Sequence, residues 1–155
     1  MDENIKREII MEHYQNPLHR YVVEDDNYIK VNTSNSSCID NLDLFLKINN
    51  NIIEDIAFFG EACAISISST SIMIENLIGK TVEEAAIIIQ NFDNMINEKD
   101  YDKNVLNNAI VYNEIYKQNS RKTCAFLPYR GILEALAKYQ KQCYNLCCKN
   151  EEQEE

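Results

Sequence analysis

The chain has 155 residues, 45% of them hydrophobic, which suits one globular domain with a real core and is short for two. Its 15 basic against 25 acidic residues leave a net charge of -10, which excludes sequence-independent attraction to a phosphate backbone and makes nucleic acid an unexpected partner. No apolar run approaches the roughly 18 residues of a membrane span, and the acidic start Met1-Asp2-Glu3-Asn4 lacks the layout of a secretory signal, so a cytoplasmic setting without membrane contact is expected.

Ile5, Ile9, Ile10 and Tyr14 follow helical spacing from about Asp2, and Pro17 bars continuation. Tyr28 to Val31 is a candidate short strand before the polar run Asn32 to Ser37. Leu42, Leu44, Leu46 and Ile48 then alternate with Asp43, Phe45 and Lys47, the period of a half-buried strand. Asn49-Asn50-Asn51 reads as a tight turn, because asparagine tolerates left-handed backbone. Ile52, Ile56 and Phe58 form one face of the next strand, with Glu54 the exception. This hairpin brings Cys38, just before its first strand, beside the Gly60 to Cys63 turn just after its second.

A buried helix with small Ser and Ala positions is expected from Cys63 to a C-cap at Gly79. Its serines, Ser66, Ser68, Ser69 and Ser71, are read as bonding their own backbone and permitting close packing. Thr81 and Glu84 make a capping-box pattern that opens another helix to about Asn97. A weaker helix is marked by Leu106, Ile110 and Ile115, and Lys117 to Thr123 reads as a loop. The last helix should begin near Ala125 to Leu127, so that Pro128 falls in its first turn. The fold class is therefore α+β: a small antiparallel sheet of about three strands packed against helices. The domain is placed at 1–142, with 143–155 a disordered tail carrying cysteines and acidic residues.

Six cysteines in a reducing compartment point to metal binding or thiol chemistry and away from a disulfide frame. Cys63, at the start of a helix, has unpaired N–H groups and the positive dipole end to favour its thiolate. Cys38 and Asp40 leave extended backbone on the same side. With Cys63 and Cys124 they offer three thiolates and a carboxylate, a set that zinc or an iron-sulfur cluster could occupy. The steps of 25 and 61 residues between the cysteines match no zinc finger, so spacing alone leaves open the plainer reading of three buried apolar cysteines. His13 reads as a hydrogen-bonded structural group on its helix. Cys143, Cys147 and Cys148 have no neighbouring ligand and read as free thiols.

Four words resolve this. Ile10-Met11-Glu12-His13-Tyr14-Gln15-Asn16-Pro17, Cys38-x-Asp40, Gly60-Glu61-Ala62-Cys63-Ala64-Ile65-Ser66 and Arg121-Lys122-Thr123-Cys124-Ala125-Phe126-Leu127 stand in the order of the IscU/NifU N-terminal family of iron-sulfur cluster assembly proteins, which the chain resembles over about residues 5 to 140. Within it the SufU-type branch is the better match. The long step from Cys63 to Cys124 leaves room for that branch's extra segment, Thr123 stands where the IscU branch has histidine, and Arg121 matches the SufU-type arginine. The chaperone word Leu-Pro-Pro-Val-Lys is missing before Cys124.

The resemblance implies a zinc-bound acceptor of persulfide sulfur from a SufS-type cysteine desulfurase, which passes it toward a downstream cluster scaffold or apo iron-sulfur proteins. By position Cys38 would be the sulfur acceptor, Asp40, Cys63 and Cys124 its co-ligands, and Arg121 a residue supporting them. The alternative on the same ligands is a scaffold for a [2Fe-2S] cluster. A remote alternative, a cysteine hydrolase using Cys63 with His13, lacks an oxyanion word and an orienting acid. Ile39 replaces the family's glycine between Cys38 and Asp40, and Ser36 its proline. An exposed Ile39 would offer a partner an apolar contact.

Overall fold

Asp2 caps the first helix by accepting the Asn4 N–H at 2.6 Å, and α1 runs Glu3–Gln15 in the computed structural model, which describes the backbone of residues 1–154 and the side chains of 1–146. The strands β1 (Ile29–Ser34), β2 (Asn41–Asn49) and β3 (Ile52–Glu61) form one antiparallel sheet in the order β1-β2-β3. The hairpin between β2 and β3 turns on Asn50 and Asn51, whose φ values of 52 and 64° are the left-handed geometry asparagine tolerates. Part of the polar run after Val31 is itself strand, since Asn32 to Ser34 pair with Asp43 to Asn41. The inner face of β3 carries Ile53, fully buried, and not Ile52, which is 42% exposed. The register slips between Lys47 and Ile48 and leaves Glu54 without a partner, a bulge that reverses the side on which the first residues of β3 project.

Leu42, Leu44 and Leu46 of β2, Val31 of β1, and Ile56 and Phe58 of β3 bury one sheet face beneath α2 (Ala64–Leu77) and α4 (Asn119–Glu154). Each such side chain contributes roughly 1.5–3 kcal/mol on full burial. Because α2 is enclosed nearly all round, most of its hydroxyls reach other elements. Ser68 bonds its own backbone at Ala64 O (2.7 Å), as the sequence suggests; Ser69 instead donates to Ala125 O (2.6 Å), and Ser71 lies 2.7 Å from His13 Nδ1. The capping box of Thr81 and Glu84 opens α3 (Val82–Ile96).

Where a weaker helix was expected around Leu106 to Ile115, the chain makes short 3-10 turns over Lys103–Val105, Asn107–Tyr112 and Ile115–Lys117. Asn107 at φ 49° prevents a continuous α-helix. This segment is pinned by Tyr112, buried with its hydroxyl 2.6 Å from Ser68 Oγ.

The start of α4 also differs from expectation. It begins at Asn119, so Arg121, Lys122 and Thr123 are helical and Pro128 lies inside the helix. Proline lacks the N–H that would bond the carbonyl of Cys124. Ser66 Oγ stands 3.1 Å from that carbonyl, Ser69 Oγ takes the next one, and Thr33 Oγ1 donates to Leu127 O at 3.1 Å. Hydroxyls from α2 and β1 thus serve the disturbed turn, a compensation no local pattern in α4 announces. A Cβ on Gly131 would run into the Leu44 side chain, so glycine there lets α4 lie close on the sheet. Helical backbone continues through 143–154; Cys143 is half-buried, and the side chains of Cys147 and Cys148 lie outside the described residues. Among the described residues no helix is long and apolar enough to cross a membrane.

Candidate metal centre

The loop between β1 and β2 folds on itself: Cys38 N–H donates to Asn35 O (3.1 Å) and Asn35 N–H to Asp40 O (3.0 Å). Asp40 is thereby turned inward to 2% exposure, Cys38 is half-exposed, and Ile39 stands out at 70%. Ile39 is absent from the residues with positive φ, so the β-branched residue at the family's glycine position carries no left-handed strain. Across the hairpin mouth, Asn41 pairs with Glu61. Gly60, at φ 140°, passes so close to β2 that a Cβ would meet the Asn41 carbonyl. Cys63 follows as the N-cap of α2, with no capping bond from its side chain, and its N–H donates to Asp40 Oδ1 at 2.7 Å. Cys124 arrives from inside α4, past its first turn, at 2% exposure.

The ligand atoms of Cys38, Asp40, Cys63 and Cys124 all lie within 4.8 Å of one another. Tetrahedral zinc with bonds of 2.3 Å sets its sulfurs about 3.8 Å apart, so a small closure of the four groups would bring them to bonding positions. The donor set also fits electrostatically: among the described residues the buried Asp40 carboxylate has no ion-pair partner, and three thiols converge on it. A cation held there would supply the counter-charge.

Burial alone would raise the Asp40 carboxyl. Hydrogen bonds from Ser66 Oγ (2.6 Å) and the Cys63 amide, with the Cys124 and Cys38 thiols, overcome it and hold the group below its ordinary value. Cys124 moves the other way: burial, then the neighbouring Asp40 and Cys63, push its thiol well up. At neutral pH Asp40 is therefore an anion and Cys124 a thiol, and a metal held there would take the place of the Cys124 proton.

Two contributors went unread in the sequence. Ser66 fastens Asp40, and Asn35 donates through Nδ2 to Cys124 Sγ at 3.8 Å. The spacing of Cys63 and Ser66, one helical turn apart, was a signal for the first; nothing local marked the second. Arg121 is exposed on the first turn of α4, and among the described residues its side chain makes no hydrogen bond or ion pair with the four. His13 is bonded elsewhere, with Nδ1 2.7 Å from Ser71 Oγ and Nε2 3.4 Å from Glu75, and among the described residues it makes no hydrogen bond to Cys63, the contact the hydrolase alternative would use.

A family model for the NifU-like N-terminal domain matches residues 5–145. The chain is 33% identical over 137 residues to the zinc-dependent sulfurtransferase SufU of Bacillus subtilis, covering 88% of this chain and 92% of that one. It is 32% identical over 117 residues to the iron-sulfur cluster assembly scaffold protein IscU of Thermotoga maritima, covering 76% and 82%. The crystal structure of FiSufU from Fervidobacterium islandicum AW-1, assigned to the SUF system as a cluster assembly scaffold, superimposes with a TM-score of 0.80 at 33% identity over 83% of this chain and 94% of that one. The matched span takes in every one of the four converging residues, and the chain belongs to the NifU-like N-terminal domain family.

Proposed function

We propose that this protein acts in iron-sulfur cluster assembly as a zinc-dependent acceptor and carrier of sulfur, receiving it on Cys38 from a SufS-type cysteine desulfurase in the cytoplasm. The observation that carries the reading is the convergence of Cys38, Asp40, Cys63 and Cys124 within 4.8 Å, joined to the 33% identity with a relative named a zinc-dependent sulfurtransferase. These four residues would hold the zinc. Zinc bound there would keep the sulfurs as thiolates at neutral pH.

The chain's own residues divide the work by exposure. Asp40 and Cys124 are buried and fixed by hydrogen bonds, so they make the floor of the site. Cys38 sits on the protruding loop, half-exposed beside Ile39, where a donor enzyme can reach it. As a thiolate, Cys38 Sγ attacks the terminal sulfur of the donor's persulfide. A new S–S bond forms on Cys38 while the donor's S–S bond breaks, and the donor cysteine leaves as a thiolate with the bonding pair. No outside oxidant or reductant is needed. The carrier then delivers the sulfur to a cluster scaffold or an apo iron-sulfur protein. The functional unit ends near residue 142, beyond Leu136, the last core residue of α4 among the described residues.

The second reading, a scaffold for a [2Fe-2S] cluster, is favoured by the similarity to the Thermotoga scaffold protein and uses the same ligands. Protein purified without air separates the two. The carrier should contain about one zinc per chain, matching one tetrahedral set, and mass spectrometry should find one added sulfur on Cys38 after incubation with a SufS-type desulfurase and cysteine. Iron and acid-labile sulfide in equal amounts would replace this reading with the scaffold, and neither metal would remove both.

A further inference from the structure

Cys124 differs from the other two sulfurs in where it finds a hydrogen-bond donor. Cys38 and Cys63 are both half-exposed and can turn to water. Cys124 is buried at 2% exposure, and its other polar neighbours are acceptors or acids: Ser120 O at 3.7 Å, Asp40 and Cys63. A buried sulfur that carries negative charge needs a donor aimed at it. Among the described residues the Asn35 side chain supplies that donor, with Nδ2 3.8 Å from Sγ.

The direction of this amide is fixed by its other end. Asn35 Oδ1 accepts from Ser37 N–H at 3.2 Å and from Ser37 Oγ at 2.8 Å, so its oxygen is committed to the loop and its NH2 group must face the sulfur. The backbone of the same residue makes the two bonds that close the loop, to Cys38 N–H and to Asp40 O. Asn35 is itself buried, at 9% exposure, so water does not compete for these partners. One residue therefore touches three of the four converging groups from outside the set.

We infer that Asn35 is a positioning residue of the metal centre, its amide orienting Cys124 Sγ as a ligand and supporting the charge on that sulfur while its backbone sets Cys38 and Asp40 in register. The inference rests on the proposed metal site. It goes beyond that site by naming a neutral residue, which binds no metal, as a determinant of affinity. Residues that orient metal ligands are typically worth about 10–100-fold in metal affinity.

The test uses the full chain, stripped of metal and titrated with Zn2+ against a chelator and with Co2+, whose thiolate charge-transfer bands report sulfur ligation. Asn35→Asp keeps an oxygen for Ser37 but turns a second oxygen on Cys124; Ser37→Ala weakens the loop bond and leaves the amide. Asn35→Asp should bind Zn2+ about 10–100-fold more weakly and lose charge-transfer intensity, a loss larger than any fall in metal-free stability, read from the melting temperature, that the added buried carboxylate causes. Ser37→Ala should bind like the wild type.

Wild-type affinity and spectrum in Asn35→Asp would overturn the inference. So would an equal loss in Ser37→Ala, or a fall in metal-free stability that tracks the fall in affinity, because loop closure would then explain the effect. Cys63→Ser is the separate control. If it binds both ions as tightly as the wild type, the metal site itself is misassigned and the inference goes with it; if Cys63→Ser fails to bind while Asn35→Asp binds normally, only the role of Asn35 is wrong.

Discussion

Ser66 Oγ donates to Asp40 Oδ2 at 2.6 Å while standing 3.1 Å from the carbonyl of Cys124. A hydroxyl has one proton, and the shorter, charge-assisted bond claims it. The serine thus joins the loop bearing Cys38 to α2 and lies against the turn of α4 that Pro128 deprives of a donor. Ser66→Ala should loosen the tie between Asp40 and α2. Removing a donor from a buried carboxylate costs about 1–3 kcal/mol, so the metal-free variant should unfold at lower denaturant. Its zinc affinity, measured by chelator competition, should fall as Asp40 loses its orientation. Unchanged values of both quantities would show that Asp40 is held without Ser66.

Tyr129 offers the opposite case. Its ring is fully buried and stacks on Phe92 with centroids 4.0 Å apart, but its hydroxyl is the buried side-chain polar atom left without a partner among the described residues. Tyr129→Phe keeps the stacking and removes an unsatisfied group whose burial costs about 1–3 kcal/mol. The variant should be as stable as the wild type or more so by up to that amount. Urea unfolding of the metal-free proteins measures it, and a clear destabilisation would reveal a bound water on the hydroxyl.

The sheet, the hairpin and the convergence of Cys38 with Cys63 were legible because each rests on local signals: alternation in Leu42 to Ile48, the asparagine turn, and Gly60 at a crossing where a Cβ would meet β2. What was not legible depends on tertiary compensation. Glu54 bulges because Ile53 must reach the core, which period-two reading cannot anticipate from β3 alone. Pro128 sits inside α4 because hydroxyls of Ser69 and Thr33 bond carbonyls around it, and they come from elements far away in sequence. Asn35 lies within the polar run Asn32 to Ser37, which carries no periodic pattern. Its importance comes from Cys124, 89 positions further on.

Acid and alkali should act on different members of the site in the metal-free protein. Burial foremost raises the Cys124 thiol above its ordinary 9.0. Above about pH 9.0 the unfolded chain therefore loses a proton that the folded chain retains, and stability falls as pH rises. Asp40 is held below its ordinary 3.8, so it stabilises the fold above that pH and the contribution is lost as pH falls through the lowered value. Denaturation midpoints of chelator-treated protein across pH should show both limbs. Cys124→Ser should flatten the alkaline limb and Asp40→Asn the acid one. An alkaline limb that is the same in Cys124→Ser would assign it to the buried phenols of Tyr112 and Tyr129, which are raised in the same direction.

Truncation after Tyr139 should leave the centre intact. It removes Cys143, Cys147 and Cys148 but keeps α4 through Leu136, its last buried position among the described residues, and every proposed ligand. Zinc content and desulfurase-dependent sulfur loading of Cys38 should match the full chain. Loss of zinc in a truncated protein that still unfolds cooperatively would make one of the removed cysteines a ligand.

Asp40 decides whether the centre is built for sulfur transfer or for stability. A carboxylate among thiolates is the weaker ligand for a soft cation, and here its Oδ1 and Oδ2 already accept hydrogen bonds from Cys63 N–H and Ser66, which draws electron density from both oxygens. The fourth corner is thus weak without being loose, since Asp40 is buried and cannot swing away. Asp40→Cys would give the closed four-thiolate set of structural zinc sites. It gives up the two hydrogen bonds but gains a stronger donor, so chelator competition should show zinc held at least as tightly as in the wild type. Sulfur transfer should slow at the same time, because a more saturated centre leaves Cys38 less available to a donor persulfide. Following persulfide formation on Cys38 by mass spectrometry beside the zinc affinity gives both quantities on one sample. Tighter zinc with an undiminished transfer rate would show that the carboxylate does not tune Cys38, and would shift the balance toward the cluster-scaffold reading.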